Sequence, residues 1–209
     1  MPVAPPQFSA DKPDGTNRTF TWRQFARNDP NAPEYRARML QAMLKLVPYT
    51  MGANALNALV LSWAFADDVG LIVGALWLML VSLQIVHGVG AWRGIQQQPK
   101  RRASARSIRR ATLFALLQGL TWGMVPVALY GAASPDEQTI VAIISTVMLC
   151  AGAFALSPVR SAAIAYCCTL GLMLAGSVLT SPSDAAIPVG MLLTAYAILV
   201  MAAINSLSS

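Results

Sequence analysis

Apolar residues in this chain come in long runs separated by short polar clusters. Six runs, at about 39–66, 70–92, 111–131, 138–156, 159–179 and 186–204, approach or exceed the roughly 20 residues a helix needs to cross a bilayer core. The clusters between them are brief: Asp67-Asp68, Ala132–Glu137, Ser157-Pro158 and Ser181–Asp184. Short links force neighbouring helices to run antiparallel. One connection is longer, RGIQQQPKRRASARSIRR from Arg93 to Arg110. The pattern therefore predicts an all-α membrane protein with six transmembrane helices in an up-down bundle.

Local signals refine the first run. Asn31, Pro33 and Glu34 read as a helix start: the Asn can cap, the Pro suits the first turn, and the Glu can complete a capping box. Pro48 lies inside the run and predicts a kink, because the carbonyl four residues earlier loses its partner. Residues 1–30 hold five prolines and no apolar run, so they read as a flexible cytosolic lead ahead of a transmembrane domain spanning 31–209. Within the lead, Phe20, Trp22, Phe25, Arg23 and Arg27 suit a headgroup zone.

Composition excludes a soluble domain. The chain is 56% hydrophobic and 11% charged, with mean hydropathy +0.53, whereas soluble domains average about 25% charged. The net charge of +6 would fit a nucleic-acid partner in a soluble protein. Placement changes that reading. In a six-span model all 15 Lys and Arg fall on one side: seven before or at the start of the first span, seven in the long loop, and Arg160. Asp67, Asp68, Asp136, Glu137 and Asp184 fall on the other. The positive-inside bias then puts both termini in the cytoplasm, and Arg93, Lys100, Arg101, Arg102, Arg106, Arg109 and Arg110 become lipid-headgroup contacts. No nucleic-acid partner is expected.

Gly70/Gly74, Gly119/Gly123 and Gly171/Ala175 are small-xxx-small pairs of the kind that let membrane helices approach closely. Cys150, Cys167 and Cys168 all lie in apolar runs and read as small buried packing residues, not a disulfide framework.

No span holds a mid-membrane Asp or Glu, which argues against a proton-coupled carrier, and Lys45 is near enough to the surface to snorkel. The polar residues inside the spans include Asn54 and Asn57, Gln84 and His87, and Gln118 and Thr121 beside Trp122; each group shares a helical face. These seven are the candidate ligand-cavity residues, and interhelical hydrogen bonding is the competing reading. Tyr166 and Asn205 are further polar positions. His87 is the sole histidine, so no metal site is expected; a haem there is the one alternative to the absence of any cofactor. There is no HExxH, GxSxG, Walker loop or CxxC, hence no catalytic constellation.

Leu56–Leu61 (LNALVL), Gly119–Gly123 (GLTWG), Cys150–Pro158 (CAGAFALSP) and Ala163–Tyr166 (AIAY), together with the basic loop, resemble a bacterial module. It is the MASE-type six-helix membrane-associated sensor region that precedes GGDEF, EAL or histidine-kinase domains. The resemblance spans roughly residues 33–207 and implies a location in the bacterial cytoplasmic membrane. It also implies a non-catalytic sensor or anchoring module that passes a ligand or membrane signal to a cytosolic effector. The last span reaches the cytosol at Asn205–Ser209 without a Lys or Arg anchor, so the natural protein is expected to continue into an effector. An accessory subunit or assembly factor of a larger membrane complex is the alternative, and a small transporter the third. Expected partners are membrane lipids and a second copy or larger complex.

Overall fold

The computed structural model describes residues 32–66, 70–97, 102–131 and 133–180. Described residues of the unit Asn31–Ser209 form helices α1 (Ala32–Lys45), α2 (Val47–Ala64), α3 (Leu71–Gln97), α4 (Ala105–Leu129), α5 (Pro135–Leu156) and α6 (Arg160–Leu179). The fold is all-helical, with no strand among the described residues. Helices α3 to α6 are each long and apolar enough to cross a membrane. Their outer faces carry exposed Leu76, Leu83, Leu116, Met124, Val147 and Leu172, an apolar surface too extensive for water. This is a membrane protein.

Helix ends follow local chemistry. At α5 the backbone N–H and the hydroxyl of Ser134 both donate to Glu137 Oε2 at 2.7 Å, and Pro135 occupies the first turn. Helix α4 continues through Pro126, whose missing N–H is tolerated where other helices bury it. Hydroxyls inside the apolar helices are satisfied by their own backbone: Ser62 bonds the Ala58 carbonyl, Thr146 that of Ala142 and Thr169 that of Ala165, each at 2.7 Å.

The first span is interrupted just before Pro48, where a kink is expected. It is two helices meeting at Leu46, and α2 falls outside the set apolar enough to cross a membrane; Pro48, Asn54 and Asn57 lie within its 18 residues. Pro48 has no N–H and its ring would meet the carbonyl of Leu44, so the break lies just N-terminal to it. The Leu46 N–H turns to Met43 O at 3.1 Å instead. Asn31, the expected cap, lies outside the described residues, as do the sixth span (186–204), the lead, Asp67, Asp68, Lys100, Arg101, Asp184 and Asn205.

Packing is densest between α4 and α6, followed by α5 with α6 and α2 with α3. Glycine explains the first of these. A Cβ on Gly119 would stand 3.1 Å from the Tyr166 carbonyl oxygen, and one on Gly123 would stand 2.5 Å from Met173 Sδ. This GxxxG pair therefore makes the close helix contact its spacing predicts. Gly70 and Gly171 of the other two pairs meet nothing within 4 Å. The cysteines also divide: Cys167 is buried, Cys150 half-buried and Cys168 exposed on the outer face. The expectation of three buried thiols is corrected for Cys168, because successive helical residues point about 100° apart.

Candidate functional site

A cavity of about 250 Å³ opens at the end of the bundle where α3 and α5 finish and α4 and α6 begin. All six helices contribute to its wall. Helix α4 supplies one continuous face, Ser107, Arg110, Ala111, Phe114 and Gln118, at the three- and four-residue steps that keep side chains aligned. Opposite, α3 supplies His87, Gly88, Ala91 and Ile95, while α1 covers the space with Ala37, Leu40 and Leu44. Gly152 and Tyr166 belong to the floor.

Two features position α1 as the cover. A one-residue interruption at Leu46 separates it from α2, and contacts with the α3–α4 connection hold its start. The Ala103 N–H donates to Pro33 O at 2.8 Å, and Arg36 Nε donates back to Ala103 O at 3.2 Å. Glu34 stands 3.7 Å from Arg102, with both side chains exposed, so that pair contributes little. The helix itself has two sides: Ala37 is buried, whereas Tyr35, Arg38 and Lys45 are exposed.

The floor is fixed by Tyr166, which is 1% exposed and donates its hydroxyl to Met148 O at 2.9 Å. Its ring lies against Gly152, where a Cβ would overlap it.

The seven polar candidates separate into three places. His87 and Gln118 line the cavity. The His87 ring lies 5.2 Å from that of Phe114, tilted by 36°. Gln84, Thr121 and Trp122 form a separate α3–α4 contact: Gln84 Nε2 donates to Thr121 Oγ1 at 2.6 Å, and that hydroxyl donates to Leu117 O at 2.9 Å. Trp77 joins them, donating to Thr121 O at 3.2 Å and meeting Trp122 edge-to-face at 5.6 Å. Asn54 and Asn57 turn to sulfur: Asn54 Nδ2 lies 3.8 Å from Met51 Sδ, and Asn57 Nδ2 lies 3.0 Å from Met148 Sδ on α5.

Among the basic-loop residues, Arg110 belongs to the cavity wall, Arg102 faces Glu34, and Arg93, Arg106 and Arg109 are exposed on the ends of α3 and α4. The sequence reading did not place Arg110, Tyr166 or the α1 residues at the cavity. The available signals were Pro48, which separates α1 from α2, and the alternation of small and polar residues along α4. Among the described residues no group of three His, Cys, Asp or Glu could hold a metal ion. No protein-family model, characterised protein or solved structure matches the chain.

Proposed function

We propose that the protein is a non-catalytic sensing or anchoring module of the bacterial cytoplasmic membrane, of the MASE-type six-helix kind. In this reading segment 186–204 completes six crossings, both termini are cytoplasmic, and the cations face the cytosol. The observation that carries the sensing role is the cavity: six helices share its wall, so an occupant touches the whole bundle at once. A ligand shifts such a bundle only by binding one packing better than another. Helix α1 is the natural element to move, because a proline break separates it from α2 and few contacts hold its start. The displacement would then pass to a cytosolic effector.

Spin labels at positions 38 and 109, in a background with Cys150, Cys167 and Cys168 replaced by Ala, test this in lipid nanodiscs. Filling the cavity with Ala111→Phe should lengthen the α1–α4 distance. An unchanged distribution in the filled variant overturns the reading. Stoichiometric recovery of the native protein with an enzyme complex would replace it with the accessory-subunit role.

A further inference from the structure

The cavity wall is mostly apolar, with Arg110 and Gln118 at its two ends along α4 and His87 between them. At the mouth stands Arg110, which makes no ion pair or hydrogen bond among the described residues. Its surroundings are strongly cationic. Arg106 and Arg109 share its helix, Arg93, Arg102 and Arg160 lie at the same end, and the first turn of α4 has no acid to offset the positive pole of the helix. The single acid described at this end, Glu34, faces Arg102. At the inner end lies Gln118, 8% exposed, whose amide faces the cavity with no hydrogen-bond partner among the described residues. Between them the wall is Ala91, Ala111, Phe114 and the His87 ring packed beside it.

An occupant of the cavity can supply the Gln118 amide with the partner it lacks among the described residues. Eight helical residues separate Arg110 from Gln118, an axial span of about 12 Å. The cavity also exceeds the roughly 150 Å³ of an apolar void that holds benzene. The spacing of the two polar groups is one that a single extended chain of about ten carbons spans.

We infer that the cavity binds a single-chain anionic amphiphile with an oxygen at its far end. The carboxylate or phosphate head sits at Arg110, the chain passes Ala91 and Ala111, and a terminal hydroxyl or carbonyl meets the Gln118 amide. This rests on the sensing reading and names the class of ligand sensed.

Isothermal titration of the protein in nanodiscs, at a pH where the acids are ionised, tests it with three probes. These are decanoate, whose extended chain is of this length, its terminally hydroxylated analogue, and uncharged decanediol. The hydroxylated acid should bind most tightly. Arg110→Gln should weaken both acids about tenfold, the scale of one hydrogen bond to a charge, and leave decanediol unchanged. Gln118→Leu should erase the preference for the hydroxylated acid while decanoate binds as before. Ala111→Phe should weaken all three probes, and Ala91→Phe serves if the first variant does not fold.

Equal binding of the two acids to the unmodified protein overturns the inference. So does a hydroxyl preference that survives Gln118→Leu, or displacement of the acids by phosphatidylglycerol vesicles, which would make the occupant a bilayer lipid. If no probe binds but Ala111→Phe still moves the α1–α4 spin labels, the ligand class falls and the sensing role stands. If neither responds, both fall.

Discussion

The Gly152→Ala variant isolates the contact that fixes the cavity floor. Gly152 lies on α5 beneath the ring of Tyr166 from α6, and a Cβ there would stand 2.6 Å from Cζ and overlap Cε1. The ring cannot retreat easily, since Tyr166 is 1% exposed and its hydroxyl is tied to Met148 O. Forcing one carbon into a packed site costs about 1–3 kcal/mol. Losing the tyrosine hydrogen bond adds about 0.6 kcal/mol, the average for a polar contact between membrane helices. Against this, alanine is favoured over glycine in a helix interior by about 0.9 kcal/mol. The net expectation is a destabilisation of about 1–3 kcal/mol. Reversible unfolding in mixed micelles, followed by tryptophan fluorescence, measures it. Gly171→Ala is the control: its added Cβ meets nothing within 4 Å, so the propensity gain should appear without the clash. A double-mutant cycle with Tyr166→Phe sharpens the test, because Tyr166→Phe should cost less in the Gly152→Ala background, where the bond is already strained. Equal stability of Gly152→Ala and Gly171→Ala would refute the close approach of α5 to α6.

Two further outcomes follow from the same unfolding assay. Gly119→Ala should cost more than Gly123→Ala, although the approach is closer at Gly123. The first Cβ meets the Tyr166 backbone oxygen at 3.1 Å, which cannot swing aside, while the second meets the flexible Met173 sulfur. At the α3–α4 contact, Thr121→Val should cost about 1–3 kcal/mol because it leaves the buried Gln84 amide without an acceptor. Gln84→Met should be close to neutral: it removes that donor together with Gln84 Oε1, which has no partner among the described residues. The reverse order would contradict the network drawn here.

Hydropathy located the middles of the helices better than their ends. Helix α3 runs on to Gln97 beyond the expected Trp92, and α4 begins at Ala105 and not Ala111. The apolar run marks hydrocarbon, whereas the helix continues into the basic segment, where Arg and Ser are acceptable helix residues. Pro48 is legible as an interruption, and the helix is broken at Leu46, two residues before it. Site residues were harder to read. Gln118, His87, Gln84 and Asn57 look alike as polar residues in apolar runs, yet two line the cavity and two bond neighbouring helices. Where lipid and core are both apolar, a helix has little amphipathic signal to fix its rotation, so periodicity alone does not say which polar residue faces which partner. Arg110 was hidden among seven cations for a similar reason, because the loop's charge speaks to topology and not to position.

The distribution of packing says where movement would be least costly. Helices α4, α5 and α6 are held by close contacts, Gly119 against the Tyr166 backbone, Gly152 against the Tyr166 ring and Gly123 against the Met173 side chain. Helix α3 is different: 17% of its apolar window is buried, against 39–44% for α4 to α6. Helix α1 is different again, joined to α2 through a proline break and tethered by backbone and guanidinium bonds at Ala103. The cavity lies between the tight half and the loose half, with its cation and its unpaired amide both on α4, the tight side. In the proposed sensing reading, a ligand anchored there would bind the tightly packed wall and press on α1. Since packed contacts switch between discrete arrangements more readily than they deform, the proposed role predicts that the response appears at α1, with α4 as the reference against which it moves.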